Sequence, residues 1–113
     1  MNNTYLYAKW KDAPADSPVE YYSEVDAGRW ETRKVEIFAD GRAGYASAAG
    51  SALDTRLAIV PLPAIAEIAS QSEFEARPID ASEFEDVWKR ATRMEQFDTS
   101  KETPRIRVAA GGR

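Results

Sequence analysis

Carboxylates are the most abundant reactive groups in this 113-residue chain, 19 of them against 15 lysines and arginines. Glu20, Glu24, Asp26 and Glu31 cluster around one turn of the sequence, and Glu83, Glu85 and Asp86 gather where a helix should begin. Two carboxyl groups at a fixed separation across a sugar ring are what a glycosidase needs, and clustered oxygen ligands suit a hard cation. No D-x-[DN]-x-[DN]-G loop organises such a cation here, and acids at a helix start are accounted for by the positive end of its dipole. Neither His nor Cys occurs. That removes a disulfide framework, a thiol nucleophile, a Cys/His zinc site, a Ser-His-Asp relay and a histidine proton shuttle. Ser23, Ser47 and Ser51 have no histidine to activate them, and no motif marks a Ser-Lys or Tyr-Lys pair. Gly41-x-x-Gly44 sits inside a hairpin rather than between a strand and a helix, so it is not a phosphate loop. Catalysis is the less favoured class: no catalytic residue, metal ligand set or cofactor is expected.

Charge favours binding instead. Residues 1–98 hold 11 Lys/Arg against 18 Asp/Glu, a net −7, whereas residues 99–113 hold 4 against 1, a net +3. An acidic body repels nucleic acid and draws in basic proteins through its summed field; the same charge also serves plain solubility. The basic tail, with Lys101, Arg105, Arg107 and Arg113, has no interleaved aromatics and is a poor nucleic-acid footprint beside that body. No apolar run approaches the roughly 20 residues of a membrane span. Met1-Asn2-Asn3-Thr4 has neither a basic start nor an apolar secretion segment, which makes the cytoplasm the expected compartment.

The elements that must position these groups follow from periodicity. Thr4 to Lys11 alternates, with Leu6, Ala8 and Trp10 on one face and Tyr5, Tyr7 and Lys9 on the other. A Pro/Asp-rich loop to Pro18 precedes a second alternating stretch, Val19 to Asp26. Ala27-Gly28 turns into a long strand, Arg29 to Ala39, and Asp40-Gly41 is a hairpin signal leading to Arg42–Ser47. Pairing across these turns sets Val25 opposite Trp30 and Ile37 opposite Gly44. Trp30 and Ile37 are an odd number of residues apart, so a regular strand cannot point both inward. Either a β-bulge near Thr32-Arg33-Lys34 resets the register, or the sheet is apolar on both faces. A bulge leaves Tyr5, Tyr7, Tyr22, Phe38 and Tyr45 on an outer face among Glu20, Glu24, Glu31, Arg33 and Glu36. Such a face is either a docking surface or a set of braced cross-strand pairs, and loops could fold over it.

The second half is helical. Ala46 to Ser51 is poor in bulky residues and is expected to be mobile, Thr55 to Val60 is a candidate fifth strand, and Pro61-Leu62-Pro63 starts a short helix with Leu62, Ile65, Ile68 and Ala69 as its buried stripe. Phe74 to Ile79 is a short strand or link that Pro78 confines to an edge. Asp80 is an N-cap with Glu83 completing a capping-box pair, and Phe84, Val87, Trp88, Ala91 and Met94 form one apolar helix face. Glu85–Lys89 and Asp86–Arg90 are i,i+4 pairs. The expected architecture is a single α+β domain over residues 1–98: an antiparallel meander of four to five strands packed on one face by two helices, followed by a mobile basic tail, 99–113.

Tyr5-Leu6-Tyr7-x-Lys9-Trp10, Arg29-Trp30-Glu31-x-Arg33-Lys34-Val35-Glu36, Asp40-Gly41-Arg42-x-Gly44-Tyr45, Val60-Pro61-Leu62-Pro63 and Glu83-Phe84-Glu85-x-x-Trp88 resemble a family of small bacterial proteins known only as a domain of unknown function. The resemblance spans residues 4–88. Its motifs are strand aromatics, a turn and a helix face, so it carries over no catalytic residue. It implies a compact, stand-alone bacterial cytoplasmic protein. Proteins of that build are often immunity proteins, which neutralise a toxin delivered by a neighbouring cell, as in contact-dependent growth inhibition. The function expected is occlusion of a basic, nucleic-acid-cleaving toxin domain, with acidic side chains standing in for phosphates and tyrosines supplying affinity. The partner-binding residues expected are Glu20, Tyr22, Glu24, Asp26 and Glu31, then Tyr5, Tyr7, Arg33 and Glu36. The alternatives are a nucleic-acid-associated regulator working through the tail and a carboxylate-dependent hydrolase.

Overall fold

The computed structural model describes residues 3–53 and 55–100. Six strands, β1 (Thr4–Trp10), β2 (Pro18–Val25), β3 (Glu31–Phe38), β4 (Ala43–Ser47), β5 (Gly50–Ala52) and β6 (Phe74–Ile79), form one sheet in the order β5-β4-β3-β2-β1-β6, with every pairing antiparallel. Two helices complete it, α1 (Ile65–Ala69) and α2 (Ala81–Ser100). The fold is α+β as expected, with six strands instead of four or five.

The parity conflict in β3 is resolved where the sequence places it. Glu24 faces Arg33 and Val25 faces Glu31, so Thr32 is the extra residue of a bulge. Its hydroxyl is 2.8 Å from Glu24 Oε1 and 3.2 Å from the Glu24 carbonyl oxygen. Both flanking turns, however, are one residue longer than a two-residue reading. Asp26 N–H donates to the Trp30 carbonyl, leaving Ala27–Arg29 as the loop, and Phe38 N–H donates to the Arg42 carbonyl, leaving 39–41. Three-residue hairpin loops end in a left-handed residue: Gly41 has φ +94° and Arg29, unusually for a side-chain-bearing residue, +71°. The added residue moves Trp30 outward to 46% exposure and brings Glu31 in opposite Val25.

The Ala46–Ser51 stretch, expected to be mobile, instead closes the β4–β5 hairpin, pairing Ser47 with Gly50. Earlier in β4 one small residue is required. A Cβ on Gly44 would lie 2.2 Å from Thr55 Oγ1 and 3.0 Å from the Ala52 carbonyl oxygen, so the chain can pass this close only at glycine. Residues 55–60 are not the fifth strand, because side chains of β3 take up their backbone groups. Glu31 Oε1 accepts from Ala58 N–H at 2.7 Å, and Lys34 Nζ donates to the Arg56 carbonyl at 2.8 Å.

The helices lie on opposite faces, not on one. Phe84, Val87, Trp88 and Ala91 of α2 cover the face bearing Tyr5, Tyr22, Val35, Ile37 and Tyr45. Leu62 and Ile65 pack on Leu6, Ala8 and Val25 of the other face, beside Tyr21 and Ala76. Both alternating sets of each central strand are therefore used, and each fully buried Val or Phe contributes roughly 1.5–3 kcal/mol. Within the short α1 none of the residues is fully buried. Edge strand β6 sets Pro78 opposite Leu6, at a position where a missing N–H is tolerated. At the start of α2, Asp80 Oδ1 accepts from the Glu83 N–H at 2.9 Å, the expected cap. The Glu83 carboxylate completes no box and turns to Arg77 at 3.3 Å. The Met94 side chain and the basic tail from residue 101 lie outside the described residues; residues 99 and 100 belong to α2.

Candidate functional site

The bulge and the placement of α2 decide the fate of the nine expected binding residues. Arg33 stands beneath α2 and reaches two carboxylates. Its Nη2 lies 2.7 Å from Glu24 Oε2 and 2.5 Å from Glu85 Oε2, while its Nε donates to Glu24 Oε1 at 2.9 Å. The guanidinium also sits over the rings of Phe84, at 4.9 Å, and Trp88, at 5.1 Å. Tyr5 packs on Phe84 with ring centres 5.4 Å apart. Hydrogen bonding from Arg33 holds the Glu24 carboxyl at about 2 despite burial. Glu85 is thus spent on the sheet rather than on Lys89.

Glu31 lies on the opposite face. Only 6% exposed, it accepts from Ser23 Oγ at 2.7 Å and from Ala58 N–H, with Lys34 Nζ 3.3 Å away. Glu36 shares that face, accepts from Thr55 Oγ1 at 3.2 Å, and is pushed up by burial. Asp26 caps the first turn, accepting from the N–H groups of Gly28 and Trp30. The expectation of an outer face combining tyrosines with these acids is therefore corrected. Glu24 and Glu31 are buried, Glu31 and Glu36 lie across the sheet from Tyr5, Tyr7 and Tyr22, and α2 occupies much of the tyrosine face. The physical reason is that α2 needs an aromatic floor, and Tyr5, Tyr22 and Tyr45 supply it. These carboxylates are each bonded within the fold and are divided between the two faces of the sheet.

Three of the nine come together at an open place. The Tyr7 hydroxyl donates to Glu20 Oε2 at 2.6 Å, and the Tyr7 and Tyr22 rings meet edge to face at 5.1 Å. Burial and the neighbouring Glu20 carboxylate raise both phenols, so they stay protonated at neutral pH. Beside them, between the flank of α2 and the sheet, runs a groove of about 300 Å³ floored by Tyr22, Ile37, Ala43 and Val87, with Glu20 on one wall and Arg90 on the other. Among the described residues neither Glu20 nor Arg90 belongs to an ion pair. An apolar floor with an unpaired carboxylate at its margin suits an aliphatic stem ending in a cation.

The sequence offered no sign of Val87 or Arg90 as site residues, since their spacing reads as helix core and as an i,i+4 pair. It also hid a second exposed feature, the apolar group Trp30, Ile59 and Val60, because Trp30 reads as inward and 55–60 as a strand. Among the described residues no group of three or more His, Cys, Asp or Glu could hold a metal ion, and no helix is long and apolar enough to cross a membrane.

No curated protein and no solved structure matches the chain. One family model does, over residues 4–93, which takes in every described strand, α1, the groove and the Arg33 cluster beneath α2. With most of its length so matched, the chain belongs to the family described as a domain of unknown function, DUF6881.

Proposed function

We propose that the chain is a binding protein of the immunity type, which occludes a basic toxin domain by seating one of its Lys or Arg side chains in the groove between α2 and the sheet. The observation that carries this reading is the Glu20 carboxylate, held by Tyr7 and in no ion pair among the described residues, at the margin of an aromatic and aliphatic floor. Tyr7 fixes Glu20 in place, so little side-chain entropy is lost when a cation arrives. The partner's methylene stem lies against Tyr22 and Ile37 while Arg90 meets an acid beside it. The −7 of residues 1–98 steers a basic surface toward the chain before contact. On this reading Glu20, Tyr7, Tyr22 and Arg90 bind, whereas Glu24, Glu31, Arg33 and Tyr5 hold the fold.

The test is affinity capture from a lysate of the source cell with three baits: the wild-type chain, Glu20→Lys and Tyr22→Ala, each checked for an unchanged fold by circular dichroism. A stoichiometric basic protein on the wild-type bait, at least tenfold depleted on both variants, supports the reading. Retention that ignores both substitutions, or no protein retained at all, defeats it.

A further inference from the structure

Segment 58–62 runs antiparallel beside the first turn and is stapled to it at both ends. Ala58 N–H donates to the Glu31 carboxylate at 2.7 Å. Leu62 N–H donates to the Arg29 carbonyl at 2.8 Å, and the Arg29 guanidinium returns to the carbonyls of Leu62 and Pro63. Between the staples the chain sets Ile59 and Val60 alongside Trp30, at 88%, 60% and 46% exposure. These are three of the four large hydrophobic residues that are exposed among the described residues. Arg29 holds a left-handed φ of +71° to make these bonds. The backbone around the patch is thus fixed before any contact, so ordering it costs little on association.

We infer that this patch is the contact between two copies of the chain, related by a two-fold axis passing near Ile59. Two observations select a second copy. The first is charge: each copy carries a net −4, so two copies repel wherever their acids face, and residues 57–66 are ten consecutive residues without a charge. The second is area. Three side chains at these exposures offer on the order of 300–400 Å² of apolar surface, the size of the largest and often functional patch on a small monomer. Doubled across a two-fold and extended by the exposed Pro61, Pro63 and Ala64 at its margin, the contact reaches about 1,000 Å², the low end of specific interfaces. The dimer is therefore weak and reversible. It leaves the groove beside α2 free, because Leu62 and Ile65 anchor this segment to the opposite face of the sheet.

Sedimentation equilibrium of the purified chain from about 10 µM to about 1 mM tests this, a range that covers the weak association expected at the low end of interface size. Association by the wild-type chain that is abolished in Ile59→Asp/Val60→Asp is the expected result. The chain has no cysteine of its own, so Ile59→Cys provides a second measurement on an otherwise unaltered protein. Near the two-fold axis, with dissolved oxygen as oxidant, its thiols form a disulfide-linked dimer at least tenfold faster than those of Lys9→Cys. A wild-type chain that stays monomeric throughout the range overturns the inference. So does association indifferent to the double substitution, or oxidation of Ile59→Cys no faster than that of Lys9→Cys.

Discussion

Arg33 engages two carboxylates and two aromatic rings with one guanidinium, and that makes Glu24 one of the residues through which pH acts on the fold. The ordinary Glu value of 4.5 is lowered to about 2, chiefly by hydrogen bonding to Arg33. A depressed carboxyl favours folding in its ionised form, so its contribution is full above about pH 4.5 and disappears as pH falls from there toward 2. Glu36 opposes it, because burial raises that carboxyl and the fold accepts its proton readily as pH falls. In a Glu36→Gln background, urea unfolding should therefore show Glu24→Gln less stable than Glu24 at pH 6. The two stabilities should converge near pH 2. A constant offset between the two curves would show that Arg33 does not tune Glu24. Sequence alone marked both Glu24 and Arg33 as consequential but assigned them to a partner. Their spacing across the hairpin carries no sign that α2 will close over them, since Glu85 is 52 residues away from Arg33.

At the scale of elements, Gly44 on β4 is the described glycine most closely approached, by Thr55 and Ala52. Alanine at Gly44 would drive Cβ to 2.2 Å from Thr55 Oγ1, and Thr55 is itself buried. Gly44→Ala should lower stability by about 1–3 kcal/mol, as overpacking does. Gly44→Ala/Thr55→Ala should recover part of that loss, because the nearest clash is with a side chain. Thermal unfolding of the single and double variants measures it; a double variant less stable than Gly44→Ala would instead make the Ala52 backbone the obstacle. The capped start of α2 and the β3 bulge were legible, because an Asp N-cap and a parity conflict are local rules. The β4–β5 hairpin was not. Its Gly and Ala residues have weak strand propensity, and the strand is defined by the pairing of Tyr45 with Ala52, Ala46 with Ser51 and Ser47 with Gly50.

For the molecule as a whole, the acidic body matters through rate more than through affinity. If the chain captures a basic protein as proposed, its association rate should fall at least tenfold between about 20 mM and 500 mM salt, with dissociation changing much less. Stopped-flow mixing with the captured partner measures both. A rate that varies less than twofold would mean that the field plays no part in encounter. The two proposed contacts lie on different faces, so a dimer formed through Trp30, Ile59 and Val60 presents two grooves at once.

What the sequence determined by itself was what short-range rules govern: the α+β class, the order of most elements, the parity conflict in β3, the cap, the edge strand and the lack of histidine and cysteine chemistry. The tertiary structure decided which groups remain available. Periodicity assigns a residue to one of two faces, yet both faces of this sheet are apolar, and only long-range packing tells which is covered by what. The choice buried Glu24 and Glu31, turned Trp30 outward and left Glu20 and Tyr22 at an open groove. One additional residue in the Ala27–Arg29 turn is enough for the Trp30 part of that outcome, because a single-residue shift in an antiparallel pair exchanges the faces of the side chains it touches.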